Sequence, residues 1–131
     1  MSQEYASLED RLGHTFKNRE LLREALTHTS YANEKKGRHN ERLEFLGDSV
    51  LNTATTHLIY EAYPDYDEGD LSALRSNLVN TETLAEIGRI LELGRHLRLG
   101  VGERNSGGAN KSSILADATE ALVGALYLDA G

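Results

Sequence analysis

The sequence contains no cysteine, only one proline, and no hydrophobic run long enough to cross a membrane. The absence of cysteine excludes disulfide bonds, thiolate catalysis and cysteine-ligated zinc sites. A membrane-spanning helix needs about 20 mostly apolar residues, so we expect no membrane partner. The N-terminus has neither the basic nor the apolar region of a secretory signal, which favours a cytoplasmic protein.

Runs of strand-forming residues are also scarce, and leucine, a strong helix former, dominates the apolar residues. A long helical pattern starts at Asn40 and stops before Pro64, since the residue preceding a proline disfavours helical geometry. Further helices are predicted over 69–80, 81–93 and 114–128, with a glycine-rich loop over 100–111. The 131 residues suit a single domain. We predict an all-α fold of six or seven helices around one core.

Acidic residues outnumber basic residues, 21 to 14, and the excess lies in one part of the chain. Residues 1–40 carry 7 basic and 6 acidic side chains, whereas residues 41–131 carry 7 basic and 15 acidic ones. This excess fits a well-hydrated surface. It also fits carboxylates that face one another and require a cation between them. Taken alone, a net charge of −7 argues against a nucleic-acid partner, because phosphates are repelled.

Three carboxylates fall on one face of the helix that begins after Asn40. Glu41, Glu44 and Asp48 are spaced i, i+3 and i+7, which places them on a stripe about 60° wide. The opposite face is apolar and comprises Leu43, Leu46, Val50, Ala54 and Leu58. A solvated polar face is one interpretation of this pattern. Phe45 lies beside the stripe and favours a second interpretation, in which apolar surface continues around the helix and encloses some of the acids.

The last predicted helix carries two more acids, Asp117 and Glu120, among alanine and leucine residues. If this helix packs against the earlier one, four carboxylates can converge: Glu44, Asp48, Asp117 and Glu120. Such a set suits Mg²⁺ or Mn²⁺, which prefer oxygen ligands. A divalent cation held in this way can polarise a phosphodiester and activate water.

Other cation and nucleotide motifs do not fit the spacing. The acidic segment 65–76 has glycine at its fifth position and serine at its twelfth, unlike a calcium-binding EF-hand loop. The residue directly before Lys111 is asparagine and not the glycine of a P-loop, so the turn that holds phosphates is absent. No nucleotide cofactor is expected. The five histidines show no zinc-ligand spacing.

Residues 40–51, NERLEFLGDSVL, resemble the signature of the ribonuclease III family. Three further blocks match the family in the same order: His28-Thr29-Ser30, residues 68–71 (EGDL) and residues 113–122 (SILADATEAL). The bacterial-type enzyme is the closest fit. The resemblance implies that residues 1–131 form a ribonuclease III endonuclease domain. Bacterial relatives bind RNA largely through a C-terminal double-stranded-RNA-binding domain, and this sequence departs from that pattern, since we expect no such domain within residues 1–131.

The resemblance implies an endonuclease that requires a divalent metal, cuts double-stranded RNA and leaves 5′-phosphate and 3′-hydroxyl ends. The family's metal ligands correspond to Glu44, Asp48, Asp117 and Glu120, with Mg²⁺ as the cofactor and Mn²⁺ able to replace it. Its catalytic residues fall on Asp48 and Glu120. Glu41 and Glu68 match two further family acids, placed near the scissile strand or across the subunit boundary. The expected biological role is processing of ribosomal and messenger RNA precursors.

The family also works as a homodimer, and Phe45 matches the residue that plugs into a socket of the partner subunit. A core aromatic is the alternative role for Phe45. Two other functions stay open at this point. A catalytically weak or inactive dimeric scaffold of the same family is one, and an unrelated acidic helical protein that binds a partner protein is the other.

Overall fold

A computed structural model describes residues 4–131, and within that range the chain is helical with no β-strand. The eight α-helices are α1 (Ala6–Leu12), α2 (Arg19–Ala25), α3 (Thr29–Lys35), α4 (Glu41–Ala62), α5 (Glu68–Leu78), α6 (Thr81–Ile90), α7 (Val101–Asn105) and α8 (Ser112–Ala130). Two single 3₁₀ turns cover Leu93–Arg95 and Gly108–Asn110. No helix in this range is long and apolar enough to cross a bilayer.

The all-α prediction is confirmed, but the structure has eight helices where six or seven were expected. The difference comes from α3, a seven-residue helix that the sequence pattern did not indicate. Helices this short are too brief to show an apolar period, so their sequences resemble loops. The predicted end of the long helix is confirmed, because α4 ends at Ala62, two residues before Pro64.

Helix α8 lies at the centre of the molecule and packs mainly against α4 and α6. Nine of its residues are buried: Ile114, Leu115, Ala116, Ala118, Thr119, Ala121, Leu122, Gly124 and Ala125. The many alanines allow neighbouring helices to approach closely on several sides. The Thr119 hydroxyl also donates to the carbonyl oxygen of Leu84 at 3.0 Å, which ties α8 to α6.

The contact between α4 and α8 depends on Gly47 and Gly124. A Cβ atom on Gly47 would overlap the backbone carbonyl of Glu120, and one on Gly124 would overlap the carbonyl oxygen of Leu43. Only residues without a side chain permit this separation, since close-packed interiors do not absorb an added methyl group easily. The two glycines therefore set the distance between the two acid-bearing helices.

The far end of α8 is fixed by Asp129. Its carboxylate accepts hydrogen bonds from His14 Nε2 at 2.8 Å and from the backbone N–H groups of Lys17 and Asn18 at 2.9 and 3.0 Å. The hydrogen bond from Asn18, followed by those from His14 and Lys17, lowers the pKa of Asp129 to about 2. This cluster joins the last helix to the loop between α1 and α2.

Much of the apolar surface of α4 is left uncovered by this chain. The predicted apolar face includes Leu58, which is 67% exposed, and Ala54, which is also exposed. Helix α5 packs against α4 yet contains no buried residue. The helical hairpin formed by α4 and α5 therefore extends away from the core that surrounds α8.

Candidate metal centre

Helices α4 and α8 cross where their acidic residues lie. Glu44 comes one turn before Gly47 on α4, and Glu120 comes one turn before Gly124 on α8. The close approach of the two glycines therefore brings the carboxylates on either side of them into one cluster. The helical spacing places the acids of each helix on one face, and the crossing of α4 and α8 brings those two faces together.

Carboxylate oxygens of Glu44, Asp117 and Glu120 all lie within 4.8 Å of one another. All three side chains are half-buried. Within the described residues 4–131, no lysine or arginine forms an ion pair with any of them. Three neighbouring carboxylates without a cationic side chain are unfavourable unless a proton or a cation neutralises them.

The protonation of this cluster reflects its crowding. Burial, together with the charge and hydrogen bond of Asp117, raises the pKa of Glu44 to about 7. Burial, together with the hydrogen bond and charge of Asp48, raises the pKa of Glu120 to about 8. Burial also raises the pKa of Asp117. These electrostatic effects link Glu44 with Asp117 and Glu120 with Asp48 across the helix crossing.

The other predicted site residues lie around or away from this cluster. Asp48 is exposed but close enough to hydrogen-bond Glu120, and Glu41 is exposed with its charge acting on Glu44. Glu68 is exposed in the first turn of α5, and its charge is not among those that raise the pKa values in the cluster. A single copy of the chain thus brings Glu44, Asp117 and Glu120 together, with Asp48 beside Glu120 and Glu41 near Glu44.

Phe45 is 80% exposed, so it is not a core aromatic in this chain. The acids are partly enclosed, as the position of Phe45 was expected to indicate, but Phe45 is not the cause. The acids are partly enclosed because α8 packs beside Gly47, not because Phe45 carries apolar surface around α4. Helix phase alone could not distinguish the two, since it does not show which face a neighbouring helix covers.

His28 acts on the centre in a way that its spacing in the sequence did not indicate. Its Nδ1 accepts a hydrogen bond from the backbone N–H of Ser30 at 3.1 Å and lies 2.8 Å from the Ser30 hydroxyl. The hydrogen bond of Glu44 and then the proximity of His28 lower the pKa of Asp117, opposing the larger effect of burial, which raises it. The His28-Thr29-Ser30 block signals this position only through its resemblance to the family.

The donor set fits a divalent cation. Carboxylate oxygens from two rigid helices are hard ligands of the kind that Mg²⁺ and Mn²⁺ prefer, and half-burial leaves room for water to complete the coordination. Burial and the neighbouring carboxylates raise the pKa values of Glu44 and Glu120, so each is harder to ionise than a free carboxyl group. A bound dication would supply positive charge and favour the ionised forms.

Comparison with known proteins gives the family. A family model described as Ribonuclease-III-like matches residues 18–131. Ribonuclease 3 of Azotobacter vinelandii is 56% identical over 131 residues, all of this chain and 56% of that protein. Ribonuclease 3 of Bordetella petrii is 57% identical over 126 residues, 96% of this chain and 48% of that protein. The chain therefore spans about half the length of these curated relatives.

Solved structures agree with the sequence comparison. The nuclease domain of a ribonuclease III from Campylobacter jejuni, described as flexible in a region involved in dimer formation, superposes with a TM-score of 0.93 at 46% identity. The match covers 97% of this chain and 87% of that one. Dicer from Pichia stipitis gives a TM-score of 0.64 at 32% identity over 86% of this chain and 46% of its own. From its sequence and its fold alike, the chain belongs to the Ribonuclease-III-like family.

Proposed function

We propose that this chain is the catalytic domain of an endoribonuclease that requires a divalent metal and hydrolyses phosphodiester bonds of double-stranded RNA. The single observation that carries the proposal is the convergence of carboxylates from α4 and α8 without a cationic side chain to neutralise them. Kinship with ribonucleases adds the reaction class. The proposed products carry 5′-phosphate and 3′-hydroxyl ends, and the proposed cellular task is processing of ribosomal and messenger precursors in the cytoplasm.

The proposed metal ligands are the four carboxylates Glu44, Asp48, Asp117 and Glu120. Mg²⁺ bound to them would act as a Lewis acid on the phosphate and stabilise the charge that develops during hydrolysis, and Mn²⁺ can replace it. In their ionised forms, Asp48 and Glu120 also accept protons, so they are the proposed catalytic residues and can orient an attacking water.

The two remaining acids have positional roles in this proposal. Glu41 lies at the edge of the cluster, one turn before Glu44, where its negative charge raises the pKa of Glu44 and would add to the attraction for a cation. Glu68 begins α5, away from the cluster of its own chain. A role for Glu68 therefore requires that it reach the RNA or the site of a second subunit.

We also propose a homodimer, with Phe45 inserted into the partner. Support comes from the large exposure of Phe45, from the uncovered apolar face of α4, and from α5 with no buried residue. Beside Phe45 lies a mainly apolar cavity of about 630 Å³, with Leu21, Leu43 and Leu128 in its wall. In a twofold dimer each copy offers the same surface, so two such aromatic side chains and two such cavities would be buried together.

Cleavage of a long RNA duplex tests the proposal. We expect cleavage with Mg²⁺ or Mn²⁺, none in excess chelator, and a loss of at least a hundredfold for Asp117→Asn. Asp10→Asn, an exposed acid on α1, serves as the matched control and should retain full activity. A folded dimer that binds Mn²⁺ but cuts no duplex would instead favour the alternative, a weak or inactive dimeric scaffold. Equal cleavage in chelator would refute the metal-dependent mechanism.

A further inference from the structure

A group of basic residues lines two neighbouring cavities on the side of the molecule formed by α2, α3 and the segment around Arg98. We call these residues the basic patch: Arg23, Lys36, Arg38, Arg95 and Arg98. The cavities measure about 460 and 520 Å³, and Arg23 and Arg98 lie in the walls of both. Three carboxylates also contribute to these walls, namely Glu4, Glu20 and Glu24. Basic side chains therefore exceed acidic ones here, although the whole chain carries a net charge of −7.

Arg98 is held firmly at the centre of the basic patch. Its backbone N–H donates to Leu26 at 2.8 Å, and its carbonyl oxygen accepts from His28 N–H at 3.0 Å. The guanidinium carbon lies 4.4 Å from the centre of the Tyr31 ring. Within residues 4–131, no carboxylate forms an ion pair with Arg98 or Lys36. Their charges are therefore available to an anion from outside the chain.

The electrostatic environment of Tyr31 agrees with this arrangement. The hydrogen bond and charge of Arg98 lower the pKa of the Tyr31 hydroxyl, and the charges of Lys35 and Arg23 lower it further. All of these cations act in the same direction at one point on the surface. Three of the five cations of the basic patch have ion-pair partners in the chain, Arg23 with Glu20, Arg38 with Glu24 and Arg95 with Glu92. The available charge of the patch therefore comes mainly from Lys36 and Arg98.

The basic patch adjoins the start of the acid-bearing helix. The Asn40 backbone N–H donates to the carbonyl oxygen of Thr27 at 2.9 Å, and the Asn40 side chain donates to that of Ala25 at 3.2 Å. These bonds fasten the N-terminus of α4, where Glu41 begins, to the segment between Arg23 and Arg98. Glu41 and the basic patch are therefore joined through only a few residues of backbone, 25–27 and Asn40.

We propose that the basic patch binds backbone phosphates of the RNA duplex outside the point of cleavage. This inference rests on the RNA substrate of the proposed function. A chain with a net negative charge repels RNA unless cations are concentrated along the path of the strand. Arginine suits this task, because its planar fork of N–H donors matches phosphate oxygens. Contacts to the backbone are also the main way in which proteins bind A-form duplexes, whose deep groove hides the base edges.

The test compares Lys36→Gln/Arg98→Gln with Arg89→Gln, which removes a cation on α6 outside the basic patch. Binding of a labelled RNA duplex is followed by fluorescence anisotropy in chelator over a range of salt concentrations. Each phosphate contact contributes about 0.9 to the slope of log K against log salt. We expect the double variant to lower that slope by about 1–2 and to weaken binding about tenfold at low salt, with Arg89→Gln close to wild type.

Arg98→Lys provides a second variant that retains the charge. We expect it to keep the wild-type slope while losing some affinity, since lysine lacks the planar fork. An unchanged slope in Lys36→Gln/Arg98→Gln, or the same decrease in Arg89→Gln, would overturn the proposal. So would a decrease in affinity for an acidic peptide but not for RNA.

Cleavage in Mg²⁺ at saturating RNA separates this inference from the proposed function. Loss of duplex binding with an unchanged saturating rate supports a binding role for the basic patch. If the wild-type protein binds the duplex but does not cut it, the proposed function fails while the salt slopes still decide the question of the basic patch.

Discussion

Replacing Glu120 with glutamine should make the metal-free protein more stable at high pH. In the native state, burial and the neighbouring Asp48 raise the pKa of Glu120 from 4.5 to about 8. Between these two values the folded chain binds more protons than the unfolded chain does. The free energy of unfolding therefore falls as the pH rises through this range. Glutamine carries no charge and can still donate a hydrogen bond to Asp48, so the substitution removes the cause of the loss.

The expected size of the effect follows from the pKa and from the exposure of the site. A change of one pKa unit corresponds to about 1.4 kcal/mol. Because Glu120 is only half-buried, solvent screening removes much of the energy that the full change would imply. We expect Glu120→Gln to raise the free energy of unfolding by about 1–2 kcal/mol at pH 8, or the melting temperature by about 3–8 °C. At pH 4 both states are protonated, and the difference should vanish.

Urea unfolding in chelator at pH 4, 6 and 8, at one protein concentration, measures this directly. Glu86→Gln is the matched control, because Glu86 is an exposed acid on α6. Its ion-pair partner is Arg89, whose Nη1 lies 3.6 Å from the Glu86 Oε1. It should change the stability by no more than about 0.5 kcal/mol at any of these pH values. If Glu120→Gln is no more stable than wild type at pH 8, or if its gain is independent of pH, the reasoning about the carboxylate cluster is refuted.

Mn²⁺ should reverse the order of stability in the same assay. A cation that binds only the folded chain adds about 2.7 kcal/mol at a hundredfold excess over its Kd. Wild type should gain this amount at pH 8, whereas Glu120→Gln should gain much less, because it has one carboxylate ligand fewer. Equal gains in the two proteins would show that the cation binds elsewhere.

The remaining predictions concern packing, assembly and acid stability. Gly47→Ala should lower the free energy of unfolding by about 3 kcal/mol, because the added Cβ overlaps the α8 backbone. Gly102→Ala, which has open space around it, should change the free energy of unfolding by less than about 1 kcal/mol. Urea unfolding measures both, and equal effects would contradict the packing argument. Phe45→Ala should weaken self-association at least tenfold in sedimentation equilibrium, and Ile90→Ala, also exposed, should not. As the pH falls from about 3.8 to about 2, wild type loses the stability that ionised Asp129 contributes, and Asp129→Asn should show a smaller loss over the same range. Circular dichroism follows this acid transition, and an unchanged transition in the variant would contradict the prediction.

The residue types and their order were enough to predict the all-α class and the placement of the α4 acids on one face of the helix. Pro64 ends α4 where the pattern predicts, because a proline prevents the preceding residues from continuing a helix. The positions of Glu41, Glu44 and Asp48 along one face follow from the pitch of a helix and need no knowledge of the fold. Helix α3 was missed, since two turns without a clear cap in the sequence are too short to show a period.

Sequence alone therefore determined which residues share a face, and the tertiary structure decided which faces meet. The predicted apolar face of α4 reaches the core only in part, because Leu43 is buried whereas Leu58 is exposed, and α8 packs beside Gly47. The reason is steric, because the backbones approach most closely where glycine leaves no side chain between them. That crossing, and not the count of acids, raises the pKa values of Glu44 and Glu120 and brings together the carboxylates proposed to hold a cation.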